Sequence, residues 1–500
     1  MVQLANIEEL TEDNIYKLYD IVKPELDRKE KLYNRYIKSG NEVEIFGYEG
    51  KRKNVRVPFE KYIIDIASGY LGGKEPTYEV QDTADEKKKS LIRKVLNKIA
   101  KQPDYKESMQ ILLNYITDYN DDGIENYTLV KDILTTGTSY EILYENEDNE
   151  IVYSRVNPLQ TQAIWDYNVP MNLIGVVQVY EEKDVNGRIR NVIKLTDKVG
   201  TRVFKGGQGG SNSYEEVKEE EPDNHNWKDV PFTVVELPDG MGLFEPVLDL
   251  IDAYEQLIEN TKETFQYNND AKLKITGYRP SEELLMRDEK TGKMIENPAR
   301  KLEDETLLKM KVFYTPDDGD IAWVEKSIED SAIQNTLKTY IDLIMMNTGV
   351  PQTTDLGFTK ADNASAIDRK FFSLEQTTSQ ATQLLKMAYK RRWELVFDRL
   401  NLKGTQYDFR DITITLNKNL PANENEVVDM YMKLRGLISD ETIIDRLPLN
   451  LDSKSEEGKM DEQNEKELSN EVEKAKAFNT ESKESNFKDK DKSKEEEEEK

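Results

Sequence analysis

Residues 364–404 read ASAIDRKFFSLEQTTSQATQLLKMAYKRRWELVFDRLNLKG. Within that stretch Ile367, Phe371, Leu374, Thr378, Ala381, Leu385 and Ala388 step by 4, 3, 4, 3, 4 and 3 residues, the spacing that places side chains on one face of an α-helix. The pattern runs on through Leu395 to Leu400, and Gly404 stops it. At 1.5 Å per residue it predicts a helix about 55–60 Å long. That is long for a compact domain, so the reading outward from it looks for the parts it connects.

Immediately upstream, residues 352–362 form a polar loop, and two shorter helices precede it. After Pro246, the residues Val247, Leu250, Ile251, Tyr254, Leu257, Ile258, Thr261 and Phe265 make one apolar stripe, predicting a helix of about 25 residues and roughly 38 Å. Its other faces carry Glu245, Asp249, Asp252, Glu255, Glu259 and Glu263 against only Lys262. Taken alone, an acidic helix face is most often simply solvated. A second helix is predicted from about Ser327 to Asn347, with Ile328, Ala332, Ile333, Leu337, Tyr340, Ile341 and Ile344 on one side and Gly349-Val350-Pro351 at its end. Between the two, Lys272–Thr276 and Lys311–Tyr314 read as strands and Glu282–Asp288 as a short helix, with breaks at Asn297-Pro298 and Pro316–Gly319. Two helices with a small mixed insertion between their far ends make a hairpin-like projection.

The N-terminal half reads as helices followed by sheet. Residues 8–40 are helical, with Pro24 expected in the first turn of a second segment. A strand-like Val55–Pro58 leads into a helix over Phe59–Leu71, and further amphipathic runs cover 85–101 and 105–119. From Thr138 the period changes to two: 139–144 and 151–156 flank one turn, and 174–180 and 188–195 flank Asn186-Gly187, predicting two antiparallel hairpins. Residues 206–213 and 215–226 read as a flexible acidic loop. Past Gly404 come a strand over 412–416 and short helices over 424–435 and 439–447. The last fifty residues hold 18 acidic and 11 basic side chains with no Tyr, Trp or Pro, a composition expected to be disordered past about residue 475.

Composition excludes much chemistry. The 500 residues contain no cysteine and one histidine, His225, so a thiol nucleophile, a cysteine zinc site, an iron–sulfur cluster and a His–His metal site are ruled out. A charge of −28, from 98 acidic and 70 basic residues, speaks against a broad basic face for nucleic acid. The Gly206–Gly210 cluster leads into no helix, and Gly72-Gly73-Lys74 is followed by Glu75, so neither is a phosphate-binding loop. Asp118–Gly123 matches the first half of a calcium loop, but Leu129 stands where the closing Glu belongs, favouring a plain turn. The N-terminus carries no basic start or apolar run of a signal peptide, and the most apolar stretch, 340–346, is short and contains Asp342, so the expectation is a soluble protein made in a cytosol.

The order of these parts resembles the portal (connector) proteins of tailed double-stranded DNA bacteriophages, in particular the branch common in siphophages of Gram-positive hosts. The resemblance covers nearly the whole chain. It is carried by Val57–Asp65 followed by Gly69–Pro76, by Gly137–Tyr144, by Pro246–Tyr254, and by Ala366-Ile367 with Arg369-Lys370. Where the family's pattern has a Ser-Gly pair, Asn363-Ala364 stand here. The resemblance implies an α+β portal fold: a wing over 1–245, a two-helix stem over 246–271 and 327–350, and a small α/β clip over 272–326. It also implies a tunnel loop over 351–363, a long kinked helix and strand over 364–420, a helical crown over 421–474 and an acidic tail over 475–500. It further implies a ring of about twelve subunits at one capsid vertex, with no catalytic, cofactor or metal site and no membrane contact. The implied partners are the terminase large subunit, a head-completion adaptor, the major capsid and scaffolding proteins, and double-stranded DNA in transit.

Under that reading Asp252, Glu255, Glu259 and Glu263 line a channel and repel the passing phosphates; a wall of roughly 38 Å faces about 22 of them, at one charge per 1.7 Å of duplex. The loop residues Gln352, Thr353, Thr354, Asp355, Lys360 and Asp362 supply weak, sequence-independent contact to the DNA. Lys290, Lys293, Arg300 and Lys301 of the clip dock the motor and the adaptor. Two other readings stay open at this point: another virion structural protein, such as a minor head or scaffold component, and an acidic metal-dependent nuclease.

Overall fold

The computed structural model describes residues 2–37, 42–44, 51–53, 55–81, 105–183, 185, 187, 189–206, 214–216, 225–269, 272–276, 283–287, 293–309, 320–324, 329–352, 364–419 and 433. The chain divides into two units, one of residues 1–352 with 371–419 and one of 353–370 with 420–500. In the second unit the described residues are the start of the long helix and Lys433; the rest of the predicted crown, the tail, and the readings over 85–101, 207–213, 311–319 and 353–362 lie outside the described residues.

The first unit starts with a short strand β1 (Val2–Gln3) and the helix α1 (Ile15–Ile37). Ile15, Leu18, Val22, Leu26, Leu32 and Tyr36 bury one face of α1. Pro24 sits inside this single helix rather than opening a second one. Its position is solvent-facing, where water can serve the carbonyl that loses its N–H partner. Next come β2 (Glu42–Glu44), β3 (Lys51–Lys53), α2 (Phe59–Gly72), β4 (Thr77–Val80), α3 (Tyr105–Tyr119) and α4 (Asp122–Thr136). The turn between α3 and α4 is the half calcium motif; the closing position, Leu129, is a buried core residue.

The change of period at residue 138 marks the start of the sheets. β5 (Thr138–Glu145), β6 (Ile151–Val156), β7 (Thr161–Trp165), β8 (Leu173–Lys183), β9 (Ile189–Asp197), β10 (Thr201–Gly206), β11 (Tyr214–Glu216) and β12 (Phe232–Glu236) form a six-stranded sheet, β1-β7-β8-β9-β10-β11, and a three-stranded one, β12-β5-β6. Both predicted hairpins are present with antiparallel register. Glu215 and Glu216, read from the sequence as loop, instead lie in β11, which pairs with β10. Ile15, Leu18, Val22 and Leu26 of α1 pack on Ile164, Val177, Ile193, Leu195 and Phe204, forming the core of this layer.

Gly137 joins α4 to β5. Its φ of 81° is left-handed, its N–H closes the helix on Ile133 O at 2.9 Å, and a Cβ there would lie 2.4 Å from Gly240 O. Both the conformation and the close approach require glycine.

The remaining elements are α5 (Leu248–Asn269), β13 (Lys272–Thr276), β14 (Leu285–Arg287), β15 (Met294–Glu296), α6 (Pro298–Lys309), β16 (Asp320–Val324), α7 (Asp330–Thr348), α8 (Ala364–Leu402) and β17 (Ile412–Thr415). The insertion between α5 and α7 differs from its sequence reading in one respect. Glu282–Asp288 contains strand β14, paired antiparallel with β15, while the helix lies at α6. Asn297 explains the shift: its side chain accepts from Ala299 N at 3.0 Å, and Pro298 takes the first helical position, so the helix starts there.

In α8 the 4–3 ladder is borne out wherever its side chains are described: Phe371, Leu374, Thr378, Ala381, Leu385 and Ala388 are all buried. Downstream, Trp393 packs edge-on against Tyr78 of β4, and β17 pairs with β4. The C-terminal part of the first unit is thereby tied to β4.

Candidate functional site

Among the described residues, the projection formed by α5 and α7 is incompletely packed. The two helices lie against each other. Near the root, Val247, Ile251 and Ile344 are fully buried and Phe59 meets Tyr254 edge to face at 5.0 Å. Further out, Leu257, Ile258, Ile333, Leu337 and Tyr340 are only half-buried and Phe265 is 50% exposed. A stripe of this periodicity is a burial surface, yet one subunit does not finish covering it. α7 ends at Gly349, φ 71°, whose N–H caps Met345 O at 2.9 Å, and Pro351 O accepts from Tyr62 of α2 at 2.9 Å. The root of the helix pair, where α5 begins and α7 ends, is therefore fixed to the N-terminal layer.

The four acidic residues singled out on α5 have separate environments. Asp252 is largely exposed but accepts from Arg35 of α1 at 2.6 Å. Arg35 also reaches the fully buried Glu60 of α2 at 2.8 Å, and Arg56 joins Glu60 at 3.1 Å. Glu255 is mostly buried, accepts from Val57 N at 2.9 Å, and has its carboxyl pushed above the ordinary range, chiefly by desolvation. Glu259 accepts from Val55 N at 3.0 Å and from Lys262 at 3.0 Å. Glu263 is exposed, as is Asp249 in the first turn. Two of the four carboxylates thus hold the strand-like 55–57 segment against the helix, and the exposed negative charge is at Asp249, Asp252 and Glu263.

Of the clip residues, Lys293 and Lys301 are exposed and Arg300 is half-buried; Lys290 lies outside the described residues. Gln352 is half-buried at the start of the polar loop, while Thr353, Thr354, Asp355, Lys360 and Asp362 are outside the described residues. Among the described residues no group of three acidic, His or Cys side chains forms a metal set, and no helix is long and apolar enough to cross a membrane.

Sequence reasoning missed two buried cations. Arg392 of α8 is fully buried and bonds Glu141, Asp122, Asn126 and the Tyr78 hydroxyl, with its guanidinium 4.2 Å from the Tyr153 ring centre. Lys29 of α1 is fully buried, donating to Tyr140 Oη, Thr161 O and Gln162 Oε1 at 2.8–3.0 Å. Burial lowers its pKa to about 7. Each is a basic residue standing on an otherwise apolar helix stripe, and that position was the available signal.

Along its sequence the chain matches a known family. Residues 15–470 fit the model described as phage portal protein, SPP1 Gp6-like. No curated protein matches the chain. Coverage of that extent settles membership: the chain belongs to the SPP1 Gp6-like phage portal proteins, the non-enzymatic structural proteins of the capsid vertex through which DNA is packaged and ejected.

Proposed function

We propose that about twelve copies of this portal protein close into a ring whose axial channel is walled by α5 and α7. The half-covered apolar stripe of that pair carries the reading, because a neighbouring stem would complete its burial. In this arrangement residues 1–245 are the wing, 272–326 the clip, 351–363 the tunnel loop and 421–474 the crown, as in a siphophage of a Gram-positive host.

The channel works by not gripping its cargo. Duplex DNA presents one negative charge per about 1.7 Å, so a basic wall would bind it and resist movement. Asp249 and Glu263, repeated around the ring, repel phosphates, whereas Asp252 is paired with Arg35 and Glu255 and Glu259 serve the subunit's own backbone. Gln352, Thr353, Thr354, Asp355, Lys360 and Asp362 offer the moving duplex weak polar contacts. Lys290, Lys293, Arg300 and Lys301 present positive charge at the clip to the terminase motor and then to a head-completion adaptor. Capsid and scaffolding proteins contact the outer surface of the wing.

Mass in solution tests the assembly. Copies of 58.0 kDa closing in a ring of about twelve weigh roughly 700 kDa. A chain that stays monomeric or dimeric with scaffolding protein present would contradict the reading.

A further inference from the structure

β12 is an edge of the three-stranded sheet, pairing with β5 on one side only. Pro231 O accepts from Leu143 N at 2.8 Å and Leu237 N donates to Gly137 O at 2.9 Å. Alternation in an antiparallel ladder therefore directs the backbone groups of residues 231, 233, 235 and 237 to β5 and those of Phe232, Val234 and Glu236 to the other edge. Phe232 N closes locally on Val230 O at 2.8 Å, and among the described residues no strand pairs with this edge. Beside β12 lies a cavity of about 980 Å³, lined by Phe232, Val234 and Glu236, by Leu173 of β8 and by Leu384 and Met387 of α8. Among its other lining residues Met171 and Val199 are exposed, as is Met387, at 42%, 73% and 67% respectively. Exposed large apolar side chains gathered at one cavity mark a binding surface, and an unpaired strand edge is a template for another strand.

We infer that an extended segment of a partner protein docks here by adding a strand to β12, with its alternate side chains filling the cavity. The inference stands whether or not copies of the chain close into a ring. Register defines the chemistry of the segment. Its residues beside Phe232 and Val234 are apolar, and the residue two positions further, beside Glu236, is lysine or arginine. Glu236 accepts from Trp165 Nε1 at 3.0 Å, and a carboxylate offers about four acceptor sites, so a cationic donor can join it. Charge selects another protein over a second copy. The charged lining is Glu8, Asp197, Asp229 and Glu236 against Lys198 and Arg391, and Arg391 is already engaged by Asp229 at 2.7 Å and Glu394 at 3.0 Å. An acidic cavity in a chain of −28 is matched by a cationic segment from elsewhere.

The test selects displayed random decapeptides on the full-length unassembled chain and depletes them on Val234→Pro, which lacks the outward N–H while the β5 ladder is untouched. Retained sequences should alternate apolar and polar residues, with lysine or arginine in phase with the apolar set. Made as fluorescent peptides, they should bind by anisotropy about tenfold or more weakly to Glu236→Gln. Met387→Lys, at an exposed position on α8, should weaken them too, with thermal unfolding of each variant as the check on its fold. N-methylation of the peptide amides that face β12 should abolish binding, and methylation of the alternate amides should not. Retained peptides with apolar residues at helical spacing, or binding indifferent to Met387→Lys and to N-methylation, would overturn the inference. So would the absence of any peptide lost on the Val234→Pro protein. Hydrogen exchange separates a site filled by the chain itself: without peptide, the Val234 amide should exchange faster than that of Val235, which faces β5. Equal protection of the two would overturn the inference by giving the edge to this chain or a second copy.

Discussion

Arg392 and Glu141 are separated by 251 residues, both are wholly buried, and the guanidinium donates to both carboxylate oxygens, at 2.6 and 2.9 Å. The remaining N–H groups are used on Asp122 at 2.7 Å, Asn126 at 2.8 Å and the Tyr78 hydroxyl at 3.2 Å. Five donors with five matched acceptors fit the rigid fork of arginine, which lysine cannot imitate. The knot fastens the long helix to β4, α4 and β5.

Replacing Arg392 leaves two buried carboxylates without a cation, and Glu141 is already pushed upward in pKa, chiefly by burial. Arg392→Met should lower the unfolding free energy of the unassembled chain by about 3–5 kcal/mol. Arg392→Lys should also destabilise, because charge is retained but the fork is lost. Urea unfolding measures both, and a loss under about 1 kcal/mol for Arg392→Met would contradict the knot's structural role.

The ladder that made α8 legible also pointed at this site. Continuing its 4–3 alternation past Ala388 lands on residue 392 and then on Leu395, so an arginine occupies a core rung. Sequence periodicity tells that the position faces inward. It does not tell which carboxylates meet it, because Asp122 and Glu141 arrive from distant segments through tertiary packing. Lys29 is the same case on α1. The helix pair, both hairpins and the long helix were legible because their apolar periods are long and unbroken. The β14–β15 hairpin was misread because three-residue strands carry too little pattern to separate from a helical turn. The engagement of Glu255 and Glu259 was hidden because their partners are backbone N–H groups, which leave no trace in side-chain identity.

Lys29 predicts a pH dependence. Its folded pKa of about 7 lies below the ordinary 10.5, so between those values the unfolded chain binds more protons and stability rises with pH. Below about pH 7 both states are protonated and this contribution is flat. The groups acting on it are Glu25 and Glu236, which favour the charged form, and Arg28, which opposes it. Thermal unfolding should show a rise in stability from about pH 7 to about pH 9, and Lys29→Met should remove most of that slope. An unchanged slope in the variant would assign it to another group.

The 55–57 segment depends on α5 through Glu255 and Glu259. Replacing both by alanine leaves the amides of Val55 and Val57 without their carboxylates, at a cost of about 1–3 kcal/mol each. Hydrogen exchange at these two amides should accelerate strongly, while that of the β8–β9 pairs stays constant. Equal protection in wild type and variant would show that the contacts do not hold the segment.

Channel electrostatics are tested at Glu263, which is exposed and holds no part of the described fold together. A Glu263→Lys ring exchanges repulsion for attraction at every subunit, so DNA packaging should slow, with the effect weakening as salt screens the charges. Packaging at the wild-type rate in low salt would contradict the repulsive wall.

The claim that this chain is a ring conducting DNA is tested most directly by electron microscopy of the purified full-length protein. Closed rings are expected, of about twelve subunits, with an axial hole wide enough for duplex DNA and the α5–α7 pair at its wall. Particles without a central channel, or rings whose hole is walled by other elements with α5 facing outward, would contradict the account.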